Sequence, residues 1–424
     1  MSILDKILLL AIIGAVFFVA KVLKIRWYSP AGVYTLASVA YIGGAVFVFG
    51  GDVEYKLWGI VWWLLSCLAC MLGQKISLSF VKPAPLPAIP ESNGGNAAPA
   101  IRYRKTPWIL LVFIIFIAFA GIMLSLMQKG ISLSSLLDIS QLGQINHNAA
   151  VDRYEGNSEA SLVSQLFVIF YYFAPLCGGY MFNFSDGKLR KVITLLSLCP
   201  ALLSMAFFNG KSTFIAACML WGSAFLVSLI KTKRDKIKLK VRWVIGVALA
   251  FVAVIVLLYI SMCLRVGDLS AETRAIINEK ILVYAFGHVE AFPLWIETVE
   301  LGVYDFGANT FMIIPRMLGL AVREQGVYGF MGNSNVFTAN RGIIQDFGVF
   351  GGLIFWFVIG LISNHFIKNV IRKKRSFIST TLLVASFFFV LYGSLIISPW
   401  IYTSYVAAFV AFAAFVAVAE LNRR

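Results

Sequence analysis

One apolar stretch determines the class of fold to which this chain belongs. It reads Trp108-Ile-Leu-Leu-Val-Phe-Ile-Ile-Phe-Ile-Ala-Phe-Ala-Gly-Ile-Met-Leu-Ser-Leu-Met127 and contains no charged residue. A helix needs about 20 apolar residues to cross the hydrocarbon core of a bilayer. Because that core holds no water, the backbone must satisfy its own hydrogen bonds, which favours a helix. We therefore predict that residues 108–127 form a transmembrane helix.

Ten further apolar runs predict that the whole chain is a membrane protein. Of its 424 residues 60% are hydrophobic and 13% are charged, whereas soluble domains are roughly half apolar and a quarter charged. This composition excludes a cytosolic enzyme, a disordered protein and a disulfide-stapled secreted module. We predict one all-α, polytopic domain, 1–424, with about 11 transmembrane helices. The predicted spans are 7–20, 32–50, 57–72, 108–127, 162–182, 192–209, 213–230, 243–262, 350–367, 377–397 and 402–419.

The net charge of +16 is distributed in a way that predicts the topology. If the N-terminus lies outside, the inside loops hold 25 Lys and Arg against four acids, and the outside segments hold 11 against 16. Lys and Arg collect in the cytoplasmic loops of membrane proteins. Topology thus explains the positive charge, and nucleic acid is not predicted as a partner. The inside loops are 21–31, 73–107, 183–191, 231–242, 368–376 and 420–424.

Three segments between the spans are long enough to have a role of their own. The proline-rich segment 73–107 is typical of a flexible cytoplasmic linker. The outer loop 128–161 is polar and long enough to fold over a site. The outer loop 263–349 has 87 residues, and a structureless loop of that size is uncommon. We expect it to be folded, with interfacial or re-entrant helices at its short apolar pieces 281–286, 311–315 and 317–321.

The predicted spans offer little ionisable chemistry. They contain no Lys, Arg, Asp or Glu, and intramembrane charges mark proton relays and ion paths. This argues against a proton-coupled transporter. The six cysteines lie in apolar runs or at the end of one, and the three histidines are scattered. Neither a redox motif nor a metal cluster is therefore predicted, and we expect no metal and no other cofactor.

Arginine is concentrated in the large outer loop, against the usual charge bias. Each arginine there either pairs with one of the loop's acids or binds phosphate, which a planar guanidinium can grip with two hydrogen bonds. Arg316 and Arg323 are seven residues apart and share a face if 311–323 is helical. Such an element suits a lipid headgroup or a lipid pyrophosphate. A plain amphipathic anchor is the alternative.

Three other polar positions are candidates for chemistry. His288 and Glu290 lie two residues apart, so they do not share a helix face. Either side chain could act as a general base, or His288 could simply be a hydrogen-bonded loop residue. Gly210-Lys211-Ser212-Thr213 is not a P-loop, because position 205 is Met where that motif needs Gly. A lysine that opens a helix still favours an anion, although a capped turn explains it equally well.

A family resemblance is carried by residues 332–351. They read Gly-Asn-Ser-Asn-Val-Phe-Thr-Ala-Asn-Arg-Gly-Ile-Ile-Gln-Asp346-Phe347-Gly348-Val-Phe-Gly351 and run into a predicted span. A large outer loop with this ending, followed by a late helix pair, resembles the Wzy-type O-antigen and oligosaccharide repeat-unit polymerases. The likeness in span count and loop placement covers most of the chain.

The resemblance implies a GT-C-like helical fold, shared with O-antigen ligases, in the inner membrane of a bacterium. It implies a metal-independent glycosyltransferase whose active site faces the periplasm. Such an enzyme moves a glycan from undecaprenyl diphosphate to a sugar hydroxyl of a lipid-linked repeat unit. The expected partners are the undecaprenyl-diphosphate-linked oligosaccharide, the lipid bilayer and a chain-length regulator protein. An O-antigen ligase, a lipid-linked oligosaccharide flippase and a non-catalytic membrane scaffold are the alternatives.

Site residues are carried over from the family only where the motif allows. Arg341, just ahead of Asp346-Phe347-Gly348, is the first candidate for the diphosphate. Lys211 occupies a turn where such polymerases often carry Arg, and Arg265 directly follows the eighth predicted span. The candidate catalytic residues are His288, Glu290 and Arg341. The candidate substrate-binding residues are Lys211, Arg265, Arg274, Arg316, Arg323 and Asp346.

Overall fold

The computed structural model is helical wherever it assigns regular structure to the part of the chain that it describes. The described residues are 3–49, 55–79, 102–132, 138–154, 162–233, 237, 241–266, 270–299, 302, 304–319, 329–372 and 376–423. The helices are α1 (Ile3–Val22), α2 (Pro30–Gly44), α3 (Leu57–Ser79), α4 (Lys105–Gln128), α5 (Ile139–Tyr154), α6 (Leu162–Phe182), α7 (Lys188–Leu196), α8 (Cys199–Phe208), α9 (Lys211–Lys233), α10 (Val241–Val266), α11 (Ala271–Ile296), α12 (Ile313–Met317), α13 (Ala339–Arg372), α14 (Phe377–Tyr392) and α15 (Thr403–Leu421).

Ten of the described helical stretches are long and apolar enough to cross a membrane. Ten of the eleven predicted apolar runs overlap these candidate spans, and α7 and α8 together form one of them. The run 377–397 differs, because α14 has only 16 residues and ends at Tyr392. The carbonyl of the next residue, Gly393, accepts the backbone N–H of Ala339 at the start of α13 instead of continuing the helix. The chain is a multi-pass helical membrane protein.

The chain divides into two compact units. The first consists of Met1–Glu91 and Leu282–Thr403, and the second of Ser92–Ile281 and Ser404–Arg424. The first unit therefore contains α1 to α3, the second half of α11, and α12 to α14. The second unit contains α4 to α10 and almost all of α15.

The first unit is built on the close crossing of α3 and α13. A Cβ added to Gly73 would lie 1.9 Å from the backbone oxygen of Phe357, and one added to Gly360 would lie 1.9 Å from that of Cys70. Glycine at both positions thus lets the two backbones touch. Small residues serve this purpose at helix interfaces in membranes, where packing replaces the hydrophobic effect.

The second unit contains a buried ion pair that the sequence analysis placed in loops. Lys231 lies in the last turn of α9 and Glu420 near the end of α15, because both helices continue beyond the predicted apolar runs. The two side chains form a salt bridge, and Lys231 also donates to the hydroxyl of Tyr180 at 3.1 Å. That hydroxyl is 3.0 Å from the hydroxyl of Tyr103. The pair is thus compensated by a polar network, as a buried charge requires.

The outer loops are folded differently from the expectation. Residues 281–286 belong to the 26-residue helix α11 and are not a short interfacial helix. Residues 311–319 do not form one continuous helix, since α12 has five residues and Gly319 has a φ of +68°, and 320–323 lie outside the described residues. The smaller loop 128–161 contains α5. Of the predicted linker 73–107, the first residues extend α3 and the last ones begin α4, while 80–101 lie outside the described residues.

The glycine crossing predicts an effect of Gly360→Ala on stability. The added methyl group has no room against Cys70, so we expect unfolding in detergent to become easier by about 1–3 kcal/mol. Gly222→Ala is the matched control, because nothing outside the backbone of α9 lies within 4 Å of the added Cβ. That variant should be as stable as the wild type or more stable by up to about 1 kcal/mol. Equal thermal stability of the two variants would contradict the described crossing.

Candidate functional site

His288 lies on the inner side of α11 among aromatic rings. Its side chain is fully buried, and its ring centroid is 4.9 Å from that of Tyr41 in an edge-on arrangement and 5.9 Å from that of Trp63. Neither ring nitrogen has a hydrogen-bond partner among the described residues. Burial lowers the pKa of His288 to about 3. The imidazole is therefore neutral and only weakly basic in the folded protein.

Glu290 contacts a different part of the first unit. Asn333 donates a long hydrogen bond of 3.4 Å from its side-chain nitrogen to Oε1 of Glu290. Gly332, with a φ of +58°, passes so close that an added Cβ would lie 2.4 Å from the same oxygen. Burial raises the pKa of Glu290, and the backbone N–H of Asn333 opposes that rise by stabilising the charged form. A carboxyl group tuned in this direction is a stronger base than an exposed one.

Arg341 lies close to two aromatic rings. Its guanidinium carbon is 4.1 Å from the ring centroid of Phe337 and 5.1 Å from that of Trp295. Trp295 belongs to α11, so the same half-helix that carries His288 and Glu290 also contacts Arg341. Cation–π attraction to the two rings favours this position of the guanidinium group.

Asp346 is buried, and its two oxygens are occupied by donors from the protein. Oδ1 accepts the backbone N–H of Asn309 at 2.9 Å and its side-chain nitrogen at 3.1 Å, and Oδ2 accepts the backbone N–H of Thr310 at 2.6 Å. The carboxylate thereby fixes segment 305–310 against the start of α13. We predicted a substrate-binding role for Asp346, and this hydrogen bonding provides a structural role for the same side chain.

Gly348 marks a break inside α13. Its φ of 74° and ψ of 174° are not helical and separate residues 339–347 from the long apolar part of the helix. A side chain at this position would meet the ring of Tyr304 at 2.7 Å. Phe347, one residue earlier, stacks on Phe355 with ring centroids 5.7 Å apart. The Asp346-Phe347-Gly348 motif therefore has a local structural reason in this chain.

The remaining predicted cations are distributed over both units. Arg316 is exposed on α12 in the first unit. Lys211 opens α9, Arg265 lies in the last turn of α10, and Arg274 is exposed near the start of α11, all in the second unit. Arg323 lies outside the described residues. The first unit thus contains His288, Glu290, Arg341, Asp346 and Arg316, and the α11 half-helix contacts Arg341 through Trp295.

Two features of the first unit were missed by the sequence analysis. A cavity of about 390 Å³ lies at the break of α13 and is almost wholly apolar; it is lined by Tyr304, Phe306, Asp346, Phe347, Gly351, Ile354, Phe355 and Val358. In addition, side-chain oxygens of Thr310, Thr338 and Gln345 are shielded from solvent without a hydrogen-bond partner among the described residues. The Asn/Thr-rich stretch before Arg341 was the only sequence signal for these polar side chains. No sequence pattern shows whether a hydroxyl group has a hydrogen-bond partner in the folded protein.

Comparison with known proteins assigns the chain to no family. No protein-family model, curated protein or solved structure matches it. Among the described residues there is no group of three His, Cys, Asp or Glu that could hold a metal ion. The fold and the site define a multi-pass membrane protein in which a half-helix outside the candidate spans carries Glu290 and contacts, through Trp295, the Arg341 side chain at the start of α13.

The buried His288 predicts a loss of stability in acid. An unfolded histidine takes up a proton below about pH 6.5, whereas the folded protein resists protonation until about pH 3. Stability present above pH 6.5 is therefore lost as the pH falls toward 3, by up to about 1.4 kcal/mol per pH unit. Thermal unfolding measured from pH 7 to pH 4 checks this expectation.

The matched variants isolate His288 from the other titrating groups. His288→Phe keeps an aromatic ring and should lose much of the acid sensitivity. His365→Gln, which changes an exposed histidine of α13 and leaves His288 in place, should retain it. Identical pH dependence in the wild type and His288→Phe would contradict the buried, neutral imidazole.

Proposed function

We propose that this protein is a repeat-unit polymerase of the Wzy type, a metal-independent glycosyltransferase of the bacterial inner membrane. It would act at the periplasmic face on undecaprenyl-diphosphate-linked oligosaccharides. The observation that carries the proposal is the second half of α11, which bears Glu290 and, through Trp295, contacts Arg341. A candidate base thus lies on a helix that is not among the candidate spans of the described chain, and the same helix contacts a candidate anion-binding group at the start of α13.

The reaction needs two kinds of protein group. The bond between the anomeric carbon of the growing glycan and the diphosphate oxygen breaks, and a bond from that carbon to the acceptor hydroxyl oxygen forms. Undecaprenyl diphosphate leaves with the bonding electron pair, so its developing charge must be stabilised by cations. The acceptor hydroxyl loses its proton to a base. Arg341 would serve the first purpose and a group on α11 the second.

The surroundings of the two candidate bases favour Glu290. A pKa of about 3 makes His288 a poor proton acceptor, and its ring is enclosed by Tyr41 and Trp63. Burial raises the pKa of Glu290, which increases the basicity of its carboxylate. In the proposed mechanism Glu290 takes the proton of the acceptor hydroxyl, and His288 packs the helix that positions it.

A lipid-linked substrate also needs apolar surface near the reacting groups. The cavity at the break of α13 provides aromatic and aliphatic walls, including Tyr304, Phe347 and Ile354. Phe306 and Phe350 nearby are each 82% exposed. We propose that this surface holds part of the polyprenyl chain of the donor or of the acceptor.

Removal of the Arg341 guanidinium should abolish chain growth. In a strain that lacks the chromosomal gene, we expect Arg341→Ala to yield single repeat units, because the diphosphate loses its charge partner. Arg341→Lys should restore growth only in part, since a lysine cannot form the two-pronged contact. Gel sizing of the surface glycan, together with an immunoblot of the membrane fraction, gives the readout.

Arg190→Ala is the matched control for Arg341→Ala. Arg190 also lies against an aromatic ring, 4.9 Å from the centroid of Trp108, but its segment is predicted to be cytoplasmic. This variant should produce polymer of normal length. Full-length polymer from Arg341→Ala, expressed at the wild-type level, would overturn the proposed role of Arg341.

The choice of base predicts opposite outcomes for two substitutions on α11. Glu290→Gln keeps the shape of the side chain but cannot accept the proton, so the rate of chain growth should fall by about 10²–10⁴-fold. His288→Phe should retain most of the wild-type rate. Polymer formation in membrane vesicles that contain lipid-linked repeats measures both. The reverse pattern would assign the base to His288.

A further inference from the structure

The first segment of α13, residues 339–347, has one face that packs into the core and a polar face opposite to it. Ala339, Ile343 and Ile344 are buried in the hydrophobic core of the first unit, and Asn340 on the same side accepts hydrogen bonds from Tyr34 and Trp356. On the other side, helical spacing places Thr338, Arg341 and Gln345 at positions i, i+3 and i+7, which share a face. Gly342 and Asp346 border the same face. A polar stripe therefore runs from the start of α13 to its break.

Two side chains of this stripe have polar atoms without a partner. Thr338 is fully buried, and neither its Oγ1 nor the solvent-shielded Oε1 of Gln345 has a hydrogen-bond partner among the described residues. Native proteins leave few such groups unpaired, and each one indicates a missing partner such as a ligand or an ordered water. Two of them on one helix face, next to the aromatic-bound Arg341, indicate a shared partner.

The segment that lies along this stripe adds a third unpaired group. The backbone N–H of Asp305 donates to the carbonyl of Gln345 at 3.1 Å, and Asp346 holds the backbone of Thr310. The hydroxyl oxygen of Thr310 is buried and unpartnered among the described residues. Hydrogen bonds to Gln345 and Asp346 thus fix segment 305–310 beside the stripe, and with it the Thr310 hydroxyl.

The chemistry of these groups selects the class of ligand. A phosphate only accepts hydrogen bonds and cannot satisfy the amide oxygen of Gln345. An ammonium group only donates hydrogen bonds, and any cation would be repelled by Arg341. A sugar both donates and accepts through its hydroxyl groups, which matches two threonine hydroxyls, an amide oxygen and a guanidinium. Its apolar C–H surface also suits aromatic rings, and Trp295 and Phe337 flank Arg341.

We propose that the polar stripe of α13, formed by Thr338, Arg341 and Gln345 and completed by Thr310, binds the hydroxyl groups of a sugar residue. Since the inference rests on the proposed function, that sugar is the one that presents the acceptor hydroxyl. Thr338 and Gln345 bind and orient it, and Arg341, which lies between them, donates to the sugar and to the neighbouring diphosphate. The donor and acceptor sites are thus adjacent on one helix face.

Two apolar substitutions test whether the unpaired side-chain atoms of Thr338 and Gln345 bind a ligand. Thr338→Val and Gln345→Leu remove a buried polar atom that has no partner in the folded protein, so thermal stability should stay equal or rise. Chain growth should nevertheless fall about tenfold, the scale of one lost hydrogen bond to substrate. Thr35→Val is the matched control, because it removes a buried hydroxyl that does have a partner: the Thr35 hydroxyl donates to the carbonyl of Ala31 at 2.9 Å. That variant should retain full chain growth.

Binding of simple sugars separates this inference from the proposed function. Glucose, galactose and N-acetylglucosamine are added in rising concentration to the purified protein while its melting temperature is recorded. At least one should stabilise the wild type and Thr35→Val by mass action, and stabilise Thr338→Val and Gln345→Leu clearly less. This pattern supports the sugar site even if no polymer forms in any assay, in which case only the proposed function fails.

Three results would overturn the sugar site. The first is the absence of stabilisation of the wild type by any of the three sugars. The second is normal chain growth in both Thr338→Val and Gln345→Leu, which would mean that only water occupies the stripe. The third is a large loss of stability in both variants, which would show that the polar atoms have structural partners.

Discussion

The arrangement of the candidate site depends on the buried carboxylate of Asp346. An ionised carboxyl group is costly to bury unless donors compensate it, and here three N–H groups of Asn309 and Thr310 do so. Hydrogen bonds of this kind, to a charged acceptor, are among the stronger ones in proteins. They fix segment 305–310 to α13 one turn after Arg341 and two residues before the break at Gly348. The polar face of residues 339–347 is thereby held beside segment 305–310.

The second half of α11 places the two candidate bases, His288 and Glu290, in different surroundings. His288 packs among aromatic rings, and burial lowers its pKa. Oε1 of Glu290 lies next to Gly332 and accepts a hydrogen bond from the side chain of Asn333. Trp295 reaches Arg341 about two turns further along. Environment, and not residue type, thus distinguishes the two candidate bases, and the helix that carries them also contacts Arg341 of α13.

The sequence alone predicted the helical spans well, since an uncharged run of about 20 apolar residues has few other structures open to it. It predicted the structure of the outer loop 263–349 poorly, because α11 mixes polar and apolar residues and lacks the continuous apolar run of a transmembrane helix. Lys231 and Glu420 were placed in loops because two distant charges that pair in the interior leave no local signal. Residue type alone made Arg341, Glu290 and His288 candidates. It did not suggest Thr338 and Gln345, because only tertiary structure shows that a polar atom lacks a partner.

The most informative single measurement is the size distribution of lipid-linked and surface glycans after deletion of the gene. A polymerase predicts single repeat units that have crossed the membrane, and are even attached to their final acceptor, but are never lengthened. Long lipid-linked polymer that is not transferred would indicate a ligase instead. Single repeats trapped on the cytoplasmic side would indicate a flippase, and either of these two results would contradict the proposed glycan polymerisation.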